Sequence, residues 1–173
     1  MIGLIAKILV ALNSNSRPGE MASGLSFGLW LSLVPGGNLL WIILFVVAFF
    51  LKHNTAAFLL SLAAFRLIVP LSDPLLDSLG GFVLSQPGFH GFFTGLYNLP
   101  LGIYTSFNNT VVAGGFLAGL LLWFPVFMLV RVLIRIYRRY VAPKLAESRP
   151  VRFLKRVPIL SRLARAIELE GLL

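Results

Sequence analysis

MASGLSFGLWLSLVPGGNLLWIILFVVAFFL, residues 21–51, decides how this chain folds. It holds two apolar pieces, Met21 to Val34 and Leu39 to Leu51, separated by Pro35-Gly36-Gly37-Asn38. As helices they are about 20 Å long, against roughly 30 Å of hydrocarbon in a bilayer, so neither crosses alone. The stretch predicts a broken membrane helix, or a hairpin that dips in and returns. Lipid offers no partners to the N–H and C=O groups freed at the break, so something must pack over it.

Composition agrees with a membrane setting. Of 173 residues, 58% are hydrophobic and 12% charged, and the mean hydropathy is +0.89, more apolar surface than a soluble core of this size hides. There is no cysteine, so disulfides and thiolate metal sites are excluded. The net charge of +9 is concentrated late: eleven Lys or Arg lie from Arg131 onward, with Glu147, Glu168 and Glu170. Basic charge placed this way points to anionic lipid at a cytoplasmic leaflet before nucleic acid. The expected class is an all-α integral membrane protein. It divides into an interfacial N-terminal helix (1–16), a membrane domain with two broken elements (17–130), and a basic amphipathic cytoplasmic tail (131–173).

Along the chain, Arg17-Pro18-Gly19-Glu20 reads as a helix start. Gly24 and Gly28, and later Gly115 and Gly119, are spaced four apart, which permits close helix packing and leaves a homo-oligomer open. Lys52-His53-Asn54 marks a return to water, and Thr55 to Leu71 is a further apolar piece ended by Pro70. Residues 72–93 read as acidic turn followed by interfacial or re-entrant chain, too broken for a spanning helix. A second break runs from Leu96 through Pro100 and Gly102 to Asn108-Asn109-Thr110, and it is the expected cover for the first, with Arg66 a candidate to close it. Val111 to Val130 is the unambiguous span. Beyond it Arg131, Arg135, Arg138 and Arg139 share one helical face, and Arg152, Lys155 and Arg156 follow in an apolar-basic segment, together an expected anionic-lipid surface. A hairpin at residues 21–51 returns Lys52 to the side of Arg17; a single kinked span puts it opposite. Both arrangements place the N- and C-termini in the cytoplasm.

Arg66 is the sharpest single signal, because an ionisable group inside an apolar segment costs at least ~2.5 kcal/mol and seeks a partner. Asp73, Asp77 and Glu20 are its candidate charge partners. Either Arg66 lines a polar cavity, or it locks helix packing or snorkels. Pro35, Gly36, Gly37 and Asn38 at the first break, with Asn108 and Asn109 at the second, are candidate lipid-, anion- or partner-facing residues. His90 among Phe89, Phe92 and Phe93 reads as packing, and with only His53 besides there is no metal-ligand cluster. No nucleophile-elbow, Walker, Rossmann or HExxH pattern is present, so neither catalytic residue nor cofactor is expected.

The run Arg17-Pro18 through Ala22, Gly24, Phe27-Gly28 to Leu33, Pro35 and Gly36, then an apolar helix ending near Lys52-His53-Asn54, resembles a bacterial family. The family comprises small inner-membrane proteins built on domain of unknown function "two thousand and sixty-two". The likeness covers roughly residues 17–130 and is looser at the second break, where the family's asparagine-proline is Asn108-Asn109. The chain also resembles a subgroup found beside a large envelope-spanning, AsmA-like, bridge-type lipid-transfer protein. This resemblance implies a non-enzymatic inner-membrane subunit that docks such a partner and assists phospholipid transfer. The rival expectation is a small transporter or channel with a charged pathway around Arg66, Asp73 and Asp77.

Overall fold

The computed structural model describes residues 17–141, and every regular element among them is helical. In order these are α1 (Pro18–Leu33), α2 (Leu39–Phe50), α3 (Thr55–Arg66), a 3-10 turn (Val69–Ser72), α4 (Asp73–Leu84), a second 3-10 turn (Pro87–Phe89), α5 (His90–Tyr97), a third (Gly102–Thr105) and α6 (Thr110–Ile136), which runs on into a π turn (Tyr137–Val141). The expected N-terminal helix, and Arg152, Lys155 and Arg156 of the tail, lie outside the described residues.

α1 is the buried centre. Pro18 opens it at a position where a missing N–H costs nothing, and Met21, Ala22, Phe27, Leu31, Leu33 and Val34 are all buried. The four-residue glycine spacing sets the neighbours. A Cβ on Gly24 would lie 2.6 Å from the Asn54 carbonyl oxygen, and one on Gly28 would lie 2.6 Å from that of Phe58. α3 therefore packs backbone to backbone on this face, where the Ser61 hydroxyl donates to the Leu25 carbonyl at 2.6 Å. On the other flank α6 brings Gly115 against the Leu33 carbonyl and Gly119 under the Trp30 indole, whose Nε1 donates to the Phe116 carbonyl at 3.1 Å. Gly114, beside Gly115, receives the Leu76 carbonyl, so α4 packs on the neighbouring face of α6.

The first break is a hairpin turn. The Asn54 amide donates to the Glu20 carbonyl at 3.0 Å, which sets the start of α3 beside the start of α1. α2 therefore returns toward the level at which α1 began, and Arg17 and Lys52 end up on one side. α2 buries Leu40, Leu44 and Ala48 and leaves Ile42, Ile43, Val46, Val47, Phe49 and Phe50 exposed. Its spacing of buried residues by four, with large apolar groups between them, suits a helix packed on one side and bathed in lipid on the other.

Two differences from the expected architecture have physical causes. Asp73–Leu84 forms a regular helix instead of an acidic turn. Asp73 stands in the first turn of α4, where the helix dipole favours a carboxylate, and Pro74 is acceptable there. α3 and the chain from Val69 through Leu84 form a pair bent by 58°, together long and apolar enough for one broken span, while Thr110–Val141 is long and apolar enough by itself. The cover of the first break also differs. Arg66 reaches it, as the sequence suggested, but the backbone against it is Gly115 of α6, and the second break packs on α2 instead. That second break holds two non-glycine residues with positive φ, Leu101 (70°) and Ser106 (54°), one at each end of its 3-10 turn.

The close α1–α3 approach is testable. Gly28→Ala places a methyl 2.6 Å from the Phe58 oxygen and 2.7 Å from the Ser61 Cβ, and is expected to cost about 1–3 kcal/mol. Gly91→Ala, with open space around it, should leave stability unchanged or slightly higher. Thermal unfolding in detergent checks both.

Candidate functional site

Arg66 sits at the last residue of α3, beside the end of α1. Its Nη1 donates to the Ser32 carbonyl at 3.2 Å and the Val34 carbonyl at 3.0 Å. The last carbonyls of a helix have no partner within it and carry the negative end of its dipole, so a guanidinium there satisfies both needs. Gly36 makes room: a Cβ there would lie 3.2 Å from Arg66 Nη2. Of the candidate charge partners, Asp73 lines the same small cavity of about 110 Å³. Asp77 instead accepts a hydrogen bond from Thr110 at the start of α6. Glu20 lies a full helix length away, in the first turn of α1.

Asn38 is a helix cap. Its Oδ1 accepts from the Trp41 amide at 2.8 Å, and its Nδ2 donates to the Pro35 carbonyl at 2.6 Å. Both ends of the amide are thus held inside the turn, and Gly37 supplies the left-handed residue at φ 92°. Asn109 caps α6 in the same way, accepting from the Val112 amide at 3.1 Å. Asn108 lies beside a separate cavity of about 320 Å³ under α5. Next to it an entirely apolar cavity of about 510 Å³ is walled by Phe89, Phe92, Phe93, Phe107 and Phe116.

A strongly charged recess lies at the other end, where α1 begins. Here a cavity of about 600 Å³ gathers Arg17, Lys52, Arg131 and Arg135, with Glu20 and Ser23 from α1 and Trp123 and Phe127 from α6. The rings of Trp123 and Phe127 stack at 5.5 Å with 4° between their planes, and the Arg131 guanidinium lies 5.9 Å from the Phe127 centroid. Trp123 Nε1 and Arg131 Nε are buried and have no hydrogen-bond partner among the described residues. The recess is therefore aromatic at one side and cationic at the other, a chemistry suited to an amphiphile with an anionic head. Among the described residues, no three of His, Asp and Glu gather to hold a metal ion.

Sequence reasoning reached Arg131, Arg135 and Glu20 but missed Arg17, Lys52, Trp123 and Phe127 as members of one site. A signal was present, since Trp123, Phe127, Arg131 and Arg135 continue one i, i+4 row. Arg17 and Lys52, one at each end of the apolar hairpin, are brought together only once the turn at residues 35–38 folds back.

His53 closes this end of the bundle, its ring 6.3 Å from that of Phe27 and 5.2 Å from that of Phe58. Burial pushes its pKa below the usual 6.5.

No family model matches the chain, and no solved structure matches it. An uncharacterized protein of Treponema pallidum (strain Nichols) is 35% identical over 162 residues, covering 94% of this chain and 100% of that protein.

Two outcomes test this geometry. Arg66→Met leaves the Ser32 and Val34 carbonyls without their charged donor and is expected to cost about 1–2 kcal/mol. Arg66→Lys should recover part of that in thermal unfolding. As pH falls below 6.5 the unfolded chain takes up the His53 proton before the folded one does. The stability that rests on neutral His53 is therefore present above 6.5 and declines as pH falls through that value toward the lower folded one, and His53→Phe should remove that part of the decline.

Proposed function

Since this chain belongs to one family with the Treponema pallidum protein, a match that runs that protein's whole length, we propose one function for both. Each is a non-enzymatic, multi-pass subunit of a bacterial inner membrane that docks a larger envelope protein and assists phospholipid transfer into it. The observation that carries the proposal is the bare apolar face of the shorter helices. Ile42, Ile43, Val46, Val47, Phe49 and Phe50 on α2, Leu75 and Phe82 on α4, and Phe92 on α5 are all exposed. A soluble monomer rarely exposes an apolar patch of more than a few hundred Å².

Several features support the lipid-handling part. α1, at about 24 Å, and α2, at about 18 Å, are shorter than a bilayer is thick, so the hairpin dips in from one side without crossing. The basic residues at its two ends and on the exit of α6 support a cytoplasmic location for that side, by the positive-inside bias, and in this reading both termini share it. The apolar, phenylalanine-rich cavity beside α5 suits acyl chains, or an apolar anchor of the partner. Its likeness to proteins of domain of unknown function "two thousand and sixty-two" suggests the partner's class, a large bridge-type lipid-transfer protein with a membrane anchor. The pathway alternative loses its main support, because Arg66 donates to the end of a helix.

Affinity purification of the full chain from its native membrane in mild detergent tests the reading. The expected result is a stoichiometric large membrane-anchored partner. A lone, stable, monodisperse protein would overturn it.

A further inference from the structure

We propose that the recess between the start of α1 and the end of α6 is a specific phosphate site that takes the phosphodiester headgroup of an anionic phospholipid. The inference rests on the chain being a lipid-handling membrane subunit, and it names which part of a lipid is held and by which residues.

Charge is the first argument. Four cations, Arg17, Lys52, Arg131 and Arg135, line one cavity of about 600 Å³ with a single carboxylate, Glu20. Among the described residues none of the four makes a side-chain hydrogen bond or ion pair; Arg131 has only its contact over the Phe127 ring. Like charges gathered in a recess repel unless an anion joins them, and guanidinium groups match the oxygen geometry of a phosphate. Two other cations show the contrast. Arg66 is engaged with carbonyls, and Arg138 donates to the Met21 sulfur at 3.0 Å.

Unpartnered donors are the second. Buried polar atoms ordinarily have a partner, yet Trp123 Nε1 and Arg131 Nε, both on residues lining this cavity, are buried without one among the described residues. A headgroup seated here offers oxygens to both. Room is the third: no described residue lies within 4 Å of the place a Gly19 Cβ would occupy, so among the described residues nothing bars a ligand from the α1 backbone.

The order of the residues along α6 favours a lipid over a free phosphate. Trp123 and Phe127 lie on the membrane side of the row and Arg131 and Arg135 toward its exit. Read along the helix, the wall passes from aromatic to cationic over about 18 Å. This suits a molecule whose glycerol and upper acyl carbons rest on the stacked rings while its phosphate meets the guanidinium groups.

Equilibrium binding of short-chain phosphatidylglycerol and of glycerol 3-phosphate to the full chain, held in phosphatidylcholine nanodiscs, separates the possibilities. Saturable binding of the lipid is expected, about fivefold weaker in Arg131→Gln and in Lys52→Gln. It should be unchanged in Arg139→Gln: the sequence groups this charge with Arg131 and Arg135, but the structure sets it on the π turn over the Tyr140 ring, outside the cavity and apart from the lipid-binding residues. Unliganded thermal stability checks that each variant is folded, and Lys52, exposed in a loop, keeps the test open if Arg131→Gln is not. Equal weakening in all three variants, or none in any, overturns the proposal in favour of diffuse surface charge. Glycerol 3-phosphate binding as tightly as the lipid, with the same dependence on Arg131 and Lys52, keeps a phosphate site but overturns the lipid as its ligand. Failure here leaves capture of a large partner unaffected, and failure of that capture leaves this binding unaffected.

Discussion

The end of α1 must find partners for carbonyl groups that its own helix cannot satisfy, and the fold depends on how it does so. In the membrane setting proposed above, water would not be available to them. Arg66 reaches across from α3 to the Ser32 and Val34 oxygens, and the Asn38 side chain spans the turn between the Pro35 carbonyl and the Trp41 amide. With both in place the chain can reverse direction inside an apolar setting. α2 then comes back beside α1, and the two ends of the hairpin meet on one side.

The reversal makes the rest of the bundle a matter of approach distance. Glycines on α1 admit α3, and glycines on α6 admit α1 and α4. If the bundle lies in lipid as proposed, burying an apolar side chain against another gains little over burying it in acyl chains, and close backbone contact and hydrogen bonds between helices drive association. The Ser61–Leu25 and Trp30–Phe116 bonds lie at these glycine contacts. Tight packing uses up one face of each short helix and leaves the other bare, so the fold ends with an apolar exterior and a cationic recess.

Much of this was legible in the residues. The Pro35-Gly36-Gly37-Asn38 break, the small-residue spacings and the apolar run after Asn109 are local signals, and each survives as a local structure. What the sequence hid depends on distance in the chain. Arg66 offered itself as a partner for carboxylates, since charge seeks charge on paper, yet in space the nearest acceptors were carbonyls of a helix more than thirty residues earlier. Asp73-Pro74 has the composition of a turn and the chemistry of a helix start, and only the neighbouring α6 backbone against Leu76 and Gly80 decides for the helix. The recess drew Arg17 and Lys52 together from opposite ends of an apolar stretch, which no window of sequence contains.

One row of α6 brings these levels together. Gly115, Gly119, Trp123, Phe127, Arg131 and Arg135 follow each other at intervals of four. Side-chain bulk along it rises from none to an indole and polarity from none to full charge, so one helix face carries a contact surface, an apolar wall and a cationic rim in sequence. The row has a phase as well as a composition. Adding or deleting one residue between Gly119 and Trp123 would turn everything beyond it by about 100°, carrying the aromatic and cationic parts away from α1 while leaving hydropathy, charge and helix content almost untouched. The length of α6 between its glycines and its arginines is therefore under a stricter constraint than the identity of most residues within it.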